Sequence, residues 1–379
     1  MVAPAAAASQ AYAAPAHSAG EAVMEVTSRR VLWEREADRA LPMASTTKIL
    51  TALIVAEDCD PDAAVTVPEE AAGVEGSSVY LRAGETLTVR DLLYGLLLRS
   101  GNDCAVALAL HHSGSVEAFS ACMNARAAAL GAVHSHFCNP HGLPAAGHFT
   151  TAHDLALIAS AALENALVGA AVSSPSYRAE GSEGARVWYN KNKMLAQYEG
   201  ADGVKTGYTA EAGRCLVASA RRGGMHLVSV VLNSPDMYAR SSALLDAAFA
   251  RFSMKQLFDA ERFCKVLPTD VRGKSCALAC RESFWYPLAE EEEGQVRTEE
   301  ALPSRLALPV HRGDAVGELK IYLKSQLLFC QKIVSIEDKE KSYFDILREL
   351  TRSGRQKSKC GSINTWPNAA SPAAAPATG

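Results

Sequence analysis

The chain is predicted to fold as an α/β (α+β) protein: helices first, a mostly antiparallel sheet later, and a small β-rich domain at the C-terminal end. Three observations predict this. Apolar residues recur at helical spacing from Ser45 onward, at Ile49, Leu50, Leu53 and Ile54. Residues 215–220 and 227–232 are apolar, β-rich runs separated by Arg-Arg-Gly-Gly. The composition then shifts near residues 253–271, and short strand-like runs follow.

The elements follow in order. Residues 22–26 and 31–34 read as a hairpin around the turn 27–30, free to join the later sheet. Thr88-x-x-Asp91 is a capping box that opens a helix through 92–98, and Thr151-x-x-Asp154 repeats the signature before 155–163. A further helix spans 104–111. Residues 187–195 lead through a Gly-Ala-Asp-Gly turn into an extended segment at 204–209, and 241–252 returns to helical spacing. In the C-terminal part, 306–310, 317–323 and 327–336 read as strands, with a turn at His311-Arg312-Gly313-Asp314. Glu290–Glu293 reads as a solvated loop.

With 379 residues, 48% of them apolar and 21% charged, the chain has room for two domains. A net charge of −4 and the lack of a basic stripe argue against a nucleic-acid partner. Apolar runs such as 49–56 are too short to span a bilayer. Residues 1–19 are expected to be a residual export signal or low-complexity arm, because Ala11-Tyr12-Ala13 resembles a signal-peptidase site without the usual basic and apolar regions before it. The boundaries expected after it are 20–255, 256–340 and a terminal stretch 341–379. That stretch holds a short amphipathic helix at 343–350, a basic patch (Arg352, Arg355, Lys357, Lys359) and an Ala/Pro tail.

Three short motifs carry chemistry. In Ser45-Thr46-Thr47-Lys48, a helical turn stacks the lysine beside the serine, and the helix N-terminus favours an oxyanion nearby. A serine hydroxyl needs a base to become a nucleophile, and a lysine serves only when burial or a neighbouring cation lowers its pKa. Lys205 is the candidate neighbour. Ser100-Gly101-Asn102 offers a hydroxyl to shuttle a proton and an amide to orient Lys48 or substrate, with a glycine that makes the turn cheap. Lys205-Thr206-Gly207 lies on an extended segment where a glycine lets a substrate strand approach.

Together the three motifs, in this order, match the S-x-x-K, S-x-N and K-T-G set, and the chain resembles the low-molecular-mass penicillin-binding proteins, the D-alanyl-D-alanine carboxypeptidases of serine peptidase family S11. The resemblance runs from about residue 20 to 340, including 308–319 in the β-rich domain. It implies a serine transpeptidase/β-lactamase-like catalytic domain that removes the terminal D-alanine from peptidoglycan stem pentapeptides through an acyl-enzyme. It implies Ser45, Lys48, Ser100, Asn102 and Lys205 as catalytic residues. Thr206, Gly207, Tyr208 and Arg240 would bind substrate, with the Ser45 and Tyr208 N–H groups as oxyanion hole and Arg240 on the free carboxylate. It implies no cofactor, stem peptides as partners, β-lactams as covalent inhibitors, and an extracytoplasmic location, secreted or wall-associated, with peripheral membrane attachment left open. Asn139-Pro140-His141-Gly142-Leu143, and Asn190 with Asn192, also resemble family segments and read as structural.

Two alternatives stand beside this reading: a penicillin-binding sensor or scaffold without turnover, and a β-lactamase-like hydrolase. Glu164-Asn165-Ala166-Leu167-Val168 does not fit the E-x-x-L-N loop that the second would need. No metal is expected. Cys276-x-x-x-Cys280 has poor zinc spacing, and alternation would put only some of His134, His136, Cys138 and His141 on one face. The ten cysteines are expected to be mostly free thiols, since a chain of this size buries its own core.

Overall fold

The computed structural model describes residues 18–348. The export-signal reading at 1–17 and the tail from 349 onward, with the basic patch and the end of the 343–350 helix, lie outside the described residues.

The chain divides into two compact units, Met1–Lys255 with Trp285–Gly294, and Gln256–Phe284 with Gln295–Gly379. The segment Trp285–Gly294, expected in the second domain, belongs to the first. Charge accounts for part of this. Glu290–Gln295 is a 3₁₀ turn rather than a loop, and its carboxylates pair with Arg30 (Glu292, 2.5 Å), Arg251 (Glu291, 2.8 Å) and Lys255 (Glu293, 2.8 Å).

The first unit is built on a five-stranded antiparallel sheet: β1 (Gly20–Glu25), β2 (Val31–Arg35), β3 (Ala201–Thr209), β4 (Gly213–Arg222) and β5 (Met225–Leu232), in spatial order β2-β1-β5-β4-β3. The N-terminal hairpin does join the later strands, with Val23 opposite Ser229. Helices cover both faces, so side chains on both faces are buried and the strands read as apolar runs. On one face Ala22, Met24, Val217 and Val230 pack against α1 (Lys48–Asp58) and a helical layer around it. That layer comprises α2 (Val89–Tyr94), α3 (Asn102–Ser113), α4 (Val116–Ala129), α5 (Ala152–Glu164) and α6 (Ala166–Ser173). On the other, Val23, Leu216 and Val231 meet Leu244, Leu245 and Ala248 of α7 (Met237–Arg251). Each Val, Leu or Met side chain among these contributes about 1.5–3 kcal/mol by leaving water.

Local signals account for the helix starts. At α2 the capping box is complete: Thr88 accepts from Asp91 N–H, and the Asp91 side chain accepts from Thr88 N–H. At α5 only half forms. Thr151 accepts from Asp154 N–H, but the Asp154 carboxylate turns to His134 N–H and Ser135. The expected helix through residue 98 becomes a π-helical turn, Gly95–Arg99, that ends at Ser100. A hairpin, Ser176–Gly181 with Gly184–Tyr189, is not expected from the sequence, where 187–195 reads only as leading into the next turn.

The second unit is a separate antiparallel sheet of β6 (Lys265–Pro268), β7 (Ser275–Ala279), β8 (Val296–Ala301), β9 (Ala315–Leu323) and β10 (Gln326–Ser335), in order β6-β7-β10-β9-β8. Its core gathers Cys276, Leu278, Leu319, Ile321 and Ile333. The expected strand at 306–310 forms only isolated bridges, Leu306 to Thr269 and Val310 to Lys339, since Pro309 has no N–H to give a ladder. Among the described residues no single helix is long and apolar enough to cross a membrane, and nine cysteines are free thiols.

Candidate active site

The site begins with how α1 is entered. Residues Ala44–Thr47 form a 3₁₀ turn that runs into α1 at Lys48, so Ser45 and Lys48 lie one turn apart on one side. Ala44, just before the serine, is left-handed at φ +49°. Its carbonyl is held by Thr47, whose hydroxyl donates to it at 2.9 Å. Behind Thr47 sits His148. Its Nδ1 accepts from Cys138 N–H at 3.0 Å, so Nε2 carries the proton and donates to Thr47 Oγ1, also 3.0 Å away. Burial, with the charge of His136 as a lesser cause, holds His148 down to about 4, so the ring is neutral near pH 7.

Lys48 is fully buried. Its Nζ lies 3.0 Å from Ser45 Oγ, 2.7 Å from Asn102 Oδ1 and 2.6 Å from the His141 carbonyl. Burial, and then the charge of Lys205, hold its pKa well below 10.5. A neutral amine has two N–H donors and one lone pair. When the amine is neutral, the two carbonyl-type oxygens can take both donors and leave the lone pair for the Ser45 hydroxyl. Lys205, also buried, donates to the Thr206 carbonyl at 3.0 Å; burial and the charge of Lys191 lower it to about 7.

The motif glycines also serve close packing around the nucleophile turn. Gly101 is not the left-handed residue of its turn: Ser100 is, at φ +66°, while Gly101 sits at φ −59°. A Cβ at Gly101 would stand 2.6 Å from Asp103 Oδ1, so it is the lack of a side chain that matters there. Likewise a Cβ at Gly207 would meet Met43 O at 3.0 Å and Ser45 N at 3.1 Å. Glycine lets β3 approach the nucleophile turn, whatever it does for a substrate.

Further residues complete the frame. Buried Asp103 accepts from Ser78 Oγ (2.5 Å), Val79 N–H (3.0 Å) and Leu81 N–H (3.1 Å), pinning the loop beside the site. From that loop the Ser77 carbonyl accepts from Asn102 N–H and the Glu75 carbonyl from Asn102 Nδ2. The 139–143 segment, read from sequence as structural, supplies the His141 carbonyl that holds Lys48. Thr51 donates to Pro140 O at 2.7 Å, and Asn139 Oδ1 accepts from Gly142 N–H at 2.7 Å.

A cleft of roughly 280 Å³ opens over Ser45 and is lined by Ser100, Thr206, Gly207 and Tyr208 among the expected residues. Lys48, Asn102 and Lys205 lie buried behind it. Ser77, Lys191, Arg214, Met237 and Tyr238 also line it and were missed. A signal for one existed: three residues, Ala210 to Ala212, close a hairpin that pairs Thr209 with Gly213 and sets Arg214 opposite Tyr208. Lys191 stands between Asn190 and Asn192, in a loop fixed by Asn190 donating to Val172 O and Ser174 O.

Arg240, expected on the substrate carboxylate, stands apart from the other expected residues. It does not line the cleft; its guanidinium grips Glu21 of β1 through two 2.8 Å hydrogen bonds, and both side chains are buried. The reason is packing. Arg240 is one turn into α7, on the face that α7 lays against the sheet. Glu164, weighed as a lactamase glutamate, is exposed and pairs with Arg29. Among the described residues no group of three or more His, Cys, Asp or Glu is placed to hold a metal.

Comparison with known proteins bears on this arrangement. Residues 7–236 match the model of a D-alanyl-D-alanine carboxypeptidase family, and residues 252–341 match that of the penicillin-binding protein 5 C-terminal domain. D-alanyl-D-alanine carboxypeptidase DacF of Bacillus subtilis is 32% identical over 341 residues, covering 87% of this chain and 88% of that protein. DacA of Escherichia coli is 34% identical over 333 residues, 83% of this chain and 82% of that protein. The crystal structure of penicillin-binding protein 5 from Haemophilus influenzae superposes with a TM-score of 0.72 at 25% identity, over 86% of this chain and 98% of that one.

Proposed function

The chain belongs to the D-alanyl-D-alanine carboxypeptidase family, penicillin-binding hydrolases of the serine peptidase class, and from that premise we propose that Ser45 is its nucleophile and that it releases the terminal D-alanine of peptidoglycan stem pentapeptides. The observation that carries the reading is the buried Lys48 Nζ, 3.0 Å from Ser45 Oγ and anchored on its other sides by Asn102 Oδ1 and the His141 carbonyl.

In this reading Lys48 takes the Ser45 proton as Oγ attacks the carbonyl of the D-Ala–D-Ala bond. The backbone N–H groups of Ser45 and Tyr208, brought close by Gly207, hold the oxyanion. A lost donor of this kind costs about 3–4 kcal/mol of barrier. The Ser100 hydroxyl, held at the cleft by a left-handed backbone, passes the proton to the departing amine. Asn102 orients Lys48; Lys205 lowers its basicity and supplies positive potential; Thr206 donates to the substrate. Water then hydrolyses the acyl-enzyme, and β-lactams acylate the same serine. The site of action is the wall, outside the cytoplasmic membrane.

D-alanine release from a stem pentapeptide, measured for the intact protein and Ser45→Ala, tests this. Release and penicillin labelling that both fall by several orders of magnitude in the variant support it. Labelling without release in the intact protein points instead to a sensor or scaffold.

A further inference from the structure

We infer that His148 is a positioning residue for the reaction: through Thr47 it holds the Ala44–Ser45 peptide in the orientation that turns the Ser45 N–H toward the cleft. The inference rests on the acyl-enzyme reading above, in which that N–H holds the oxyanion.

A peptide unit is planar, and in its trans form the C=O and N–H point in opposite directions, so whatever fixes the Ala44 carbonyl also fixes the Ser45 N–H. This peptide needs fixing. Ala44 is left-handed at φ +49°, a region that costs a residue with a Cβ about 1–2 kcal/mol and is kept only where the surroundings impose it. The nitrogen end lies against β3: a Cβ at Gly207 would stand 3.1 Å from Ser45 N. At the carbonyl end, Thr47 Oγ1 donates to Ala44 O at 2.9 Å.

Three hydrogen bonds in series set the direction of that last contact. Cys138 N–H can only donate, so it makes His148 Nδ1 the acceptor, at 3.0 Å. The ring proton then sits on Nε2, which donates to Thr47 Oγ1, also 3.0 Å away. With its oxygen accepting from the ring, the Thr47 hydroxyl sends its single proton to Ala44 O. A hydroxyl rotates to suit its partners, and one rotor position satisfies both of these. The ring itself is held. His148 is buried, its backbone N–H donates to the Ala145 carbonyl at 3.0 Å, and Phe137 packs edge-on with ring centres 6.0 Å apart. Burial keeps the ring neutral near pH 7, as the series requires, because a proton on Nδ1 would oppose the Cys138 N–H. His148 is not among the residues that line the cleft over Ser45, so it acts on the substrate through this series and not by touching it.

The test times acylation of Ser45 by a penicillin in the intact protein, His148→Phe, His148→Gln and Thr47→Val. It separates the dissociation constant of the first complex from the rate constant of acylation. Affinity for a D-alanine-type boronic acid, whose tetrahedral adduct on Ser45 places an oxygen where the oxyanion forms, is measured beside it. His148→Phe keeps an aromatic ring and loses the donor; His148→Gln keeps an N–H donor at the reach of Nε2. The expected result is a fall of about 10- to 100-fold in the acylation rate constant for His148→Phe and Thr47→Val, with a matching fall in boronate affinity. The first dissociation constant stays unchanged, and His148→Gln recovers most of the loss. The double variant loses no more than either single one, since both break the same series. A merely structural role lowers the urea midpoint and leaves the rate constant of the folded protein where it was. That outcome overturns the inference, as does a His148→Gln no faster than His148→Phe. Should His148→Phe not fold, Thr47→Val, which exchanges a hydroxyl for a methyl, decides the question in the same way. Labelling that survives in Ser45→Ala overturns the nucleophile reading, and the inference with it.

Discussion

Arg240 Nε and Nη2 each donate to one oxygen of Glu21, both at 2.8 Å, and join helix α7 to strand β1 across 219 positions of sequence. Ser18, Trp33 and Arg35 converge on the same carboxylate. Burial pushes the Glu21 pKa up, but the hydrogen bonds from Arg240 and Ser18 and the charges of Arg240 and Arg35 outweigh it and pull it below 4.5. The pair is therefore a structural tie between β1 and the α7 helix that packs on the sheet.

Arg240→Ala should thus be a stability variant. Breaking a buried pair and stranding one charge costs about 3–5 kcal/mol, read as a lowered urea midpoint with an unchanged slope. Because the folded carboxyl titrates below its ordinary value, its contribution is present above about pH 4.5 and is lost as pH falls through the lowered value. That part of the acid sensitivity should vanish in Arg240→Ala. A variant as stable as the parent at pH 7 would refute the tie.

The acylation rate should report the base. Lys48 accepts a proton only when neutral, so activity rises with pH through its pKa, which burial and the Lys205 charge hold down. Lys205→Met removes that charge and should shift the acidic limb of penicillin acylation upward by about one pH unit, whatever it does to the plateau. A limb that stays in place would show that Lys205 does not tune Lys48.

The nucleophile turn should be intolerant at one glycine and tolerant at another. Gly142 has φ +88°, and a Cβ there would stand 1.9 Å from the Ala44 carbonyl oxygen and 2.8 Å from Thr47 Oγ1. Gly142→Ala should cost about 1–3 kcal/mol of backbone strain and a similar amount in overpacking. It should also slow labelling of Ser45 by displacing Ala44 and the neighbouring His141 carbonyl. Gly73→Ala, at φ +79° with nothing within 4 Å, carries the strain alone and should label normally. Equal labelling in both variants would break the connection.

Much of this protein could be read from local sequence. The one-turn spacing of Ser45 and Lys48, the Thr88–Asp91 box, the N-terminal hairpin and the order of the three motifs depend on residues within a few positions of one another, where backbone geometry decides the outcome. Tertiary structure decided what those residues face. Which of two arginines meets the cleft depends on Glu21, far away in sequence, having claimed Arg240, and on a hairpin register that sets Arg214 against Tyr208. The functions of Gly101 and Gly207 depend on atoms of Asp103, Met43 and Ser45 that only packing brings within about 3 Å. The pKa of Lys48 depends on burial and on a second lysine 157 positions on (205 − 48). Charge pairing, close approach and desolvation are long-range properties, and a short motif carries the groups that respond to them without carrying the surroundings that set the response.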